Sequence, residues 1–426
     1  MNTLYEVSYL GYNYADPRFH TGIPRVIMTF LDHLAEQPEV EPRFVAFEEY
    51  IAQLGFENYI DRCTPFSQEQ VIRAWSRRFA PERVCRLLTR QFPYRDQSRA
   101  REPRYRRGLR RLFRLIQHEA VRGAVREPVD VYHSLYFALP RDERVRAKVR
   151  VLSVYDLIPV RFPQFFPRSF DTDYFAAIMK SACRESDWVL CISESTRRDF
   201  CAFTGKDPRQ VVAVPLGADR RIFHRETDPA RLAAVRARYA LPQGQYALGL
   251  FTIEPRKNVQ HLIETFVALI EQERLPDTHL VLVGAKGWDV EHIYRGIAAK
   301  PAYRDRVRFT GRIPDADLAA VYSGASFFVY PSLYEGFGLP PLEAMQCGVP
   351  VLTSDSSSLP EVVGNAGLMV DPTDGPALAQ AMLTLFRDAE LRCRLSAAGL
   401  VRAQQFSWSR HAAGTVDVYR QALAAC

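Results

Sequence analysis

The sequence predicts an α/β chain of two domains, each a parallel sheet with helices on both faces. Three observations predict it. The chain has 426 residues, too many for one hydrophobic core and suited to two. Its composition is globular, 47% hydrophobic and 25% charged, which excludes extended disorder. Short apolar runs also alternate with longer helical patterns, as they do where parallel strands are joined by crossover helices.

In the first half, strands are expected at 3–10, 42–47, 129–133, 149–155, 187–193 and 210–215, with helices at 23–36, 67–91, 104–125, 169–185 and 194–203. This domain spans 1–219 and ends after Val214–Asp219, where a polar, charged run leads to Pro229. The second domain, 220–408, alternates more cleanly. Tyr246–Ile253, His279–Gly284, Val307–Gly311, Phe327–Pro331 and Val349–Ser354 read as strands. Asn258–Arg274, Val290–Ala299, Asp315–Ser323 and Leu339–Cys347 read as helices. Asn258 suits an N-cap, Pro340 and Pro341 fall in a first helical turn where a missing N–H costs nothing, and Gly348 suits a C-cap. Helices at about 390–405 and 409–424 close the chain, with 409–426 set apart as a terminal helix. Ligands of such sheets sit beyond the carboxyl ends of the strands, where the loops 253–257, 284–288, 311–314 and 332–338 fall.

The formal net charge is +7, and the segment Arg95–Glu127 carries all of it with eleven arginines against four acids. Within that segment Leu109, Leu112, Phe113 and Ile116 recur at helical spacing, while Arg106, Arg107, Arg110, Arg111 and Arg114 fill much of the remainder. A cationic helix of this kind suits contact with an anionic membrane surface through 95–127. Nucleic acid is not expected as a partner, because the charge is confined to one helix with no recognised binding motif. The eight cysteines form no C-x2-C pair, which argues against zinc and for a reducing compartment. The start lacks the basic flank and apolar run of a signal peptide, and no stretch of about twenty apolar residues occurs. A cytoplasmic protein, peripheral on the inner membrane face, is the expectation.

The most informative segment is Val329–Asp355, VYPSLYEGFGLPPLEAMQCGVPVLTSD. Glu335 and Glu343 stand with seven residues between them, and Gly336-Phe337-Gly338 follows the first. Free amides at a helix N-terminus, reached through side-chain-free glycines, make an anion site. Two carboxylates beside it can hold sugar hydroxyls, so the segment describes a nucleotide-sugar pocket. It resembles the retaining nucleotide-sugar glycosyltransferases of family four. The resemblance implies the GT-B fold, two Rossmann-like domains whose parallel sheets face an interdomain cleft, and a terminal helix that crosses back to the first domain. It implies that Glu335 contacts the donor sugar, that Glu343 holds the ribose hydroxyls, and that the amides of Gly336–Leu339 face sugar and phosphate.

Thr252-Ile253-Glu254-Pro255-Arg256-Lys257-Asn258 follows the first strand of the second domain. Two cations at a helix start oppose the helix dipole unless an anion neutralises them, and a diphosphate would serve. Arg256 and Lys257 are therefore candidate donor ligands, although many family members carry an earlier Arg where Thr252 stands. By resemblance Arg312 and Ile313 bracket the nucleobase through backbone groups. Thr21–Val26 resembles the family's N-terminal glycine loop, with Gly22 beside diphosphate or acceptor and Arg25 able to pair with an anion. His133 and Asp156, each at a strand end, are candidates for chemistry at the sugar or acceptor, but Tyr155 stands where relatives often have His. Ser193 suits an N-cap at least as well as an acceptor contact.

No Asp-x-Asp motif suits a metal, since Asp171-Thr172-Asp173 falls beside a helix start, and no cofactor is expected. The sequence thus reads as a metal-independent retaining hexosyltransferase. Its partners would be a nucleotide diphosphate sugar donor and a glycan or lipid-linked acceptor in surface polysaccharide synthesis. The form TIEPRKN resembles bacterial polysaccharide mannosyltransferases and favours mannose from GDP-mannose. The rivals are a non-catalytic nucleotide-sugar binder and a sugar-nucleotide epimerase or phosphorylase on the same fold, and no segment resembles a phosphorylase's pyridoxal lysine.

Overall fold

The computed structural model describes residues 1–14, 22–74, 123–273, 275, 277–285 and 306–426. The arginine helix expected within 95–127 lies largely outside the described residues, as does the helix expected at Val290–Ala299. The parts of 95–127 that are described already belong to a strand and its approach.

Among the described residues the first sheet holds β1 (Asn2–Glu6), β2 (Glu41–Val45), β3 (Val71–Ile72), β4 (Val125–Ser134), β5 (Val145–Val154), β6 (Asp187–Cys191) and β7 (Val211–Ala213). They lie in the order β3-β2-β1-β4-β5-β6-β7. The second sheet holds β8 (Gln245–Leu250), β9 (Thr278–Val283), β10 (Val307–Gly311), β11 (Phe327–Tyr330), β12 (Val351–Ser354) and β13 (Gly367–Val370), in the order β10-β9-β8-β11-β12-β13. The described pairings are parallel. Each order reverses once, between β1 and β4 and between β8 and β11. Crossovers leave in opposite directions from those points, which opens a crevice at the carboxyl edge.

The local rules placed most elements within a few residues. Asp171, Ser193, Asp374, Asp388 and Ser407 each cap a helix by accepting from a backbone N–H of its first turn. Two expectations fail, and one helix was unforeseen. The strand expected at 3–10 stops at Glu6, whose carboxylate accepts from the amides of Ser8 and Phe47 and turns the chain into helix Ser8–Tyr14. Of the helix expected at 67–91, the described part is a single 3-10 turn, Gln68–Gln70, followed by β3, which pairs with Phe44 and Val45, and 75–91 lie outside the described residues. Helix Tyr50–Cys63 was unforeseen because it has no side-chain cap and carries Gly55. That glycine has a tertiary reason: a Cβ there would stand 2.0 Å from the carbonyl of Gly11, so the pair lets this helix lie directly on Ser8–Tyr14.

Helix Trp408–Ala424 packs on helix Ile23–Leu34 and on β5 and β6 of the first sheet. His411 sits against the carbonyls of Val214 and Pro215 in the connection between sheets. A Cβ on Gly217 would meet the backbone nitrogen of Trp408 at 2.4 Å, so connector and terminal helix touch through backbone.

Candidate active site

A cleft of about 820 Å³ lies between the two sheets, lined from both sides. That volume is in the range of small-molecule sites. Its charged floor follows from the strand order. Because β8 and β11 are neighbours, with Phe327 beside Ala247 and Phe328 beside Leu248, the loops leaving them emerge together. One carries Glu254, Arg256 and Lys257; the other carries Glu335.

The four side chains are bonded to one another. Glu335 Oε1 accepts from Lys257 Nζ at 2.6 Å, from Tyr330 Oη at 3.0 Å and from Ser332 Oγ at 2.5 Å. Its Oε2 lies 2.9 Å from Arg256, which also donates to Glu254 at 2.6 Å and to the carbonyl of Tyr334 at 2.7 Å. Burial alone would raise the Glu335 pKa, but Arg256 and Lys257 outweigh it and hold the carboxyl at about 2. Lys257 is pushed below the ordinary lysine value by burial and the neighbouring Arg256, against the pull of Glu335. The counter-anion that the cation pair required is thus partly within the protein.

Asn258 stands where an N-cap was expected, just before helix Val259–Glu273, and its carbonyl accepts from the amide of Leu262, but its side chain turns elsewhere. It takes the left-handed conformation (φ 57°) that closes the 3-10 turn Pro255–Lys257, and its amide donates to the carbonyl of Pro372.

Glu343 sits one helical turn into Leu339–Gln346, buried on the cleft side, and accepts from Tyr322 Oη at 3.1 Å. Burial raises its pKa to about 7, opposed by Arg25 and by the Tyr322 bond. One motif therefore presents two carboxyls shifted in opposite directions, Glu335 held down by its cations and Glu343 raised by burial.

The glycine turn does more than admit a ligand. A Cβ on Gly336 would stand 2.1 Å from the carbonyl of Tyr155, so this glycine lets the second domain touch the first. Ser193, the cap of helix Glu194–Thr204, also donates to the Gly336 carbonyl at 2.6 Å. Gly338 is the N-cap of Leu339–Gln346 at φ 112°, which an L side chain rarely adopts. Phe337 is buried against Phe406. Two further contacts join the domains: Arg25 with Asp315 at 2.5 Å, and Glu361 with the amides of Glu194 and Ser195 at 2.8 and 2.6 Å.

The cleft brings together Gly22, Asp156, Arg256, Lys257, Arg312, Ile313, Glu335, Gly336, Phe337, Gly338, Leu339 and Glu343. Asp156 is half-buried, with a pKa raised by burial and opposed chiefly by Arg256, and its Oδ1 accepts from the amide of Ile158. His133 stands apart. It is buried outside the cleft lining, with Nδ1 2.6 Å from Tyr419 Oη and Nε2 2.8 Å from Ser153 Oγ. Burial holds its pKa near 3, so the ring is neutral and knits the terminal helix to the first sheet. Sequence reasoning missed Glu254, Tyr330, Ser332 and Tyr322 as site residues. Glu254 stood two places before Arg256, a visible signal; Tyr330 in an apolar strand and Tyr322 in an apolar helix both read as core, and Ser332 as an ordinary loop residue.

Two doubly wound domains around a charged cleft give the GT-B fold, and the relatives of the chain place it among the glycosyltransferases of that fold. Residues 242–401 match the family Glycosyl transferases group 1, and residues 66–221 match Glycosyltransferase Family 4. The chain is 33% identical over 309 residues to O-antigen chain mannosyltransferase B of Escherichia coli, covering 72% of this chain and 79% of that protein. It is 30% identical over 271 residues to the serotype-specific mannosyltransferase WbdA of Escherichia coli, covering 63% of this chain and 33% of WbdA. In fold it is similar to sucrose-phosphate synthase of Thermosynechococcus elongatus, with a TM-score of 0.65 at 20% identity over 100% of this chain and 99% of that one. The chain belongs to glycosyltransferase family four.

Proposed function

We propose that this protein transfers a mannosyl unit, with retention, from GDP-mannose to a hydroxyl of a glycan or lipid-linked acceptor in surface polysaccharide synthesis. The observation that carries the reading is the pair Glu335 and Glu343, both buried on one wall of the cleft and flanking the start of helix Leu339–Gln346. The likeness to O-antigen chain mannosyltransferase B supports mannose and a polysaccharide product.

In this reading Glu343 accepts from the ribose hydroxyls and Glu335 holds the donor sugar. Arg256 and Lys257 share their charge between Glu335, Glu254 and the diphosphate. The anomeric C–O bond to diphosphate breaks, the bond to the acceptor oxygen forms, and the hydroxyl proton leaves with the diphosphate. Charge develops on that leaving group, where Lys257, Arg256 and the amides at the start of Leu339–Gln346 stabilise it without a metal. Among the described residues no group of three His, Cys, Asp or Glu side chains is placed to hold a metal ion, and no helix is long and apolar enough to cross a membrane.

The test is a panel of nucleotide sugars scored by thermal stabilisation and then by transfer, with the anomeric configuration of the product read by NMR. GDP-mannose should give the largest shift, the product should keep the α configuration, and a chelator should leave turnover intact. A larger response to a UDP-sugar, an inverted product, or strict dependence on added magnesium or manganese would each remove the corresponding part of the reading.

A further inference from the structure

A recess of about 170 Å³ opens off the cleft on the first domain's side. It shares Tyr155, Asp156 and Arg256 with the cleft, so it begins beside the proposed donor-sugar position. Five aromatic residues line it: Tyr136, Tyr155, Phe166, Phe170 and Phe175. The rings of Phe166 and Phe170 lie 4.8 Å apart, Phe170 and Phe175 6.2 Å apart, and Tyr136 stacks on Tyr155 at 6.4 Å. Phe170 is 36% exposed, which makes it one of three large hydrophobic side chains in that state among the described residues. Phe170 thus stands partly in water at the edge of a recess that Asp156 and Glu254 also line.

The chemistry selects the occupant. The C–H face of a pyranose packs on an aromatic ring, while its hydroxyls donate to carboxylates such as Asp156 and Glu254 at the recess. A phosphate finds only Arg256 there, and that guanidinium already serves Glu335 and Glu254. An alkyl chain has no use for the two acids. We propose that this recess seats the terminal pyranose of the acceptor glycan, with its C–H face on Phe166 and Phe170 and a hydroxyl on Asp156. The proposal rests on the glycosyl-transfer reading and adds to it where the acceptor sits and which part of it is recognised.

The test uses methyl α-D-mannopyranoside as the probe, observed by saturation-transfer NMR on the full chain in the presence of GDP. Phe170→Ala and Phe166→Ala should each weaken the glycoside about three- to tenfold, the range of a lost aromatic contact. Phe170→Tyr should restore binding, and GDP affinity should be the same in all three, which also shows that they fold. In transfer assays the acceptor KM should rise while kcat and donor KM hold. If GDP binds the parent but the glycoside does not, or if the glycoside binds both alanine variants as tightly as the parent, the recess is not the acceptor seat. If neither GDP nor UDP binds the parent, the glycosyl-transfer reading itself falls, and the recess proposal with it.

Discussion

In the second domain the loops after β8 and β11 present Glu254, Arg256, Lys257 and Glu335, already bonded to one another. In the first domain the corresponding edge presents Gly22, Ile23, Tyr155, one cation, Arg25, and one carboxylate, Asp156. The sheets share the order third, second, first, fourth, fifth, sixth, with β7 added to the first. The same topology thus delivers a dense array of mutually bonded charges on one side and a sparsely charged surface on the other. A charged ligand needs donors held in place before it arrives, because reorienting dipoles during reaction costs energy. A neutral sugar is met by shape and stacking. In the reading proposed above, donor and acceptor take opposite walls, and four measurements can break or sharpen that asymmetry.

The largest effect should come from Glu335→Gln. It removes the anion between two buried cations, and kcat should fall about 10²–10³-fold while the affinity for bare nucleoside diphosphate changes little. Stability should fall too, by about 3–5 kcal/mol, because breaking a buried pair strands its partners. The pH dependence has a definite sign. With its pKa depressed to about 2, Glu335 adds stability that is present above its ordinary value of 4.5 and is lost as pH falls from 4.5 toward about 2. Acid titration of the wild type should show that loss, and the variant should lack it. Unchanged turnover in the variant would dissolve the charged wall as a catalytic feature.

Glu343→Gln comes next, with nucleotide affinity weaker by about 1–3 kcal/mol in calorimetry. In the empty protein this carboxyl is raised to about 7, so it favours folding below 4.5 and that contribution is lost as pH rises through 7. Accepting two hydroxyls requires the ionised form. Nucleotide affinity should therefore strengthen as pH rises through about 7 in the wild type and stay flat in Glu343→Gln. A flat wild-type profile would show that the motif's second acid does not bind the ribose.

Lys257→Ala should cost about 1–3 kcal/mol of diphosphate affinity and leave the free nucleoside unaffected. Its loss also frees Glu335 from one partner, so Tm should drop modestly. Equal losses for nucleoside and diphosphate would place the lysine in the scaffold alone.

The smallest effect on chemistry should be that of His133→Phe. Its bonds to Tyr419 and Ser153 hold the terminal helix on the first sheet, so Tm should fall, with about 1–3 kcal/mol lost, while kcat at permissive temperature holds. A selective loss of kcat in a stable variant would return His133 to the site.

The sequence by itself determined the fold class and the donor motif. Both are written locally: a run such as Phe327–Tyr330 is recognisable as a buried strand, and Glu335, the glycine turn and Glu343 sit within nine consecutive residues. The cleavage into strands and helices went wrong where a distant partner overrode local preference, as when Phe44 and Val45 drew Val71 and Ile72 into the sheet. Three features of the site were decided only by the tertiary structure. Lys257 and Glu335 are 78 residues apart and meet because β8 and β11 are adjacent. Gly336 serves the contact with Tyr155 because the domains close to backbone distance there. His133 read as a candidate because a histidine at a strand end can point either way. Its direction was set by Tyr419, 286 residues on, in the helix that returns to cover that face of the sheet. Hydrophobic period and motif spacing are short-range quantities, whereas which side chains share a pocket depends on strand order and on what covers each face, and no local pattern carries either.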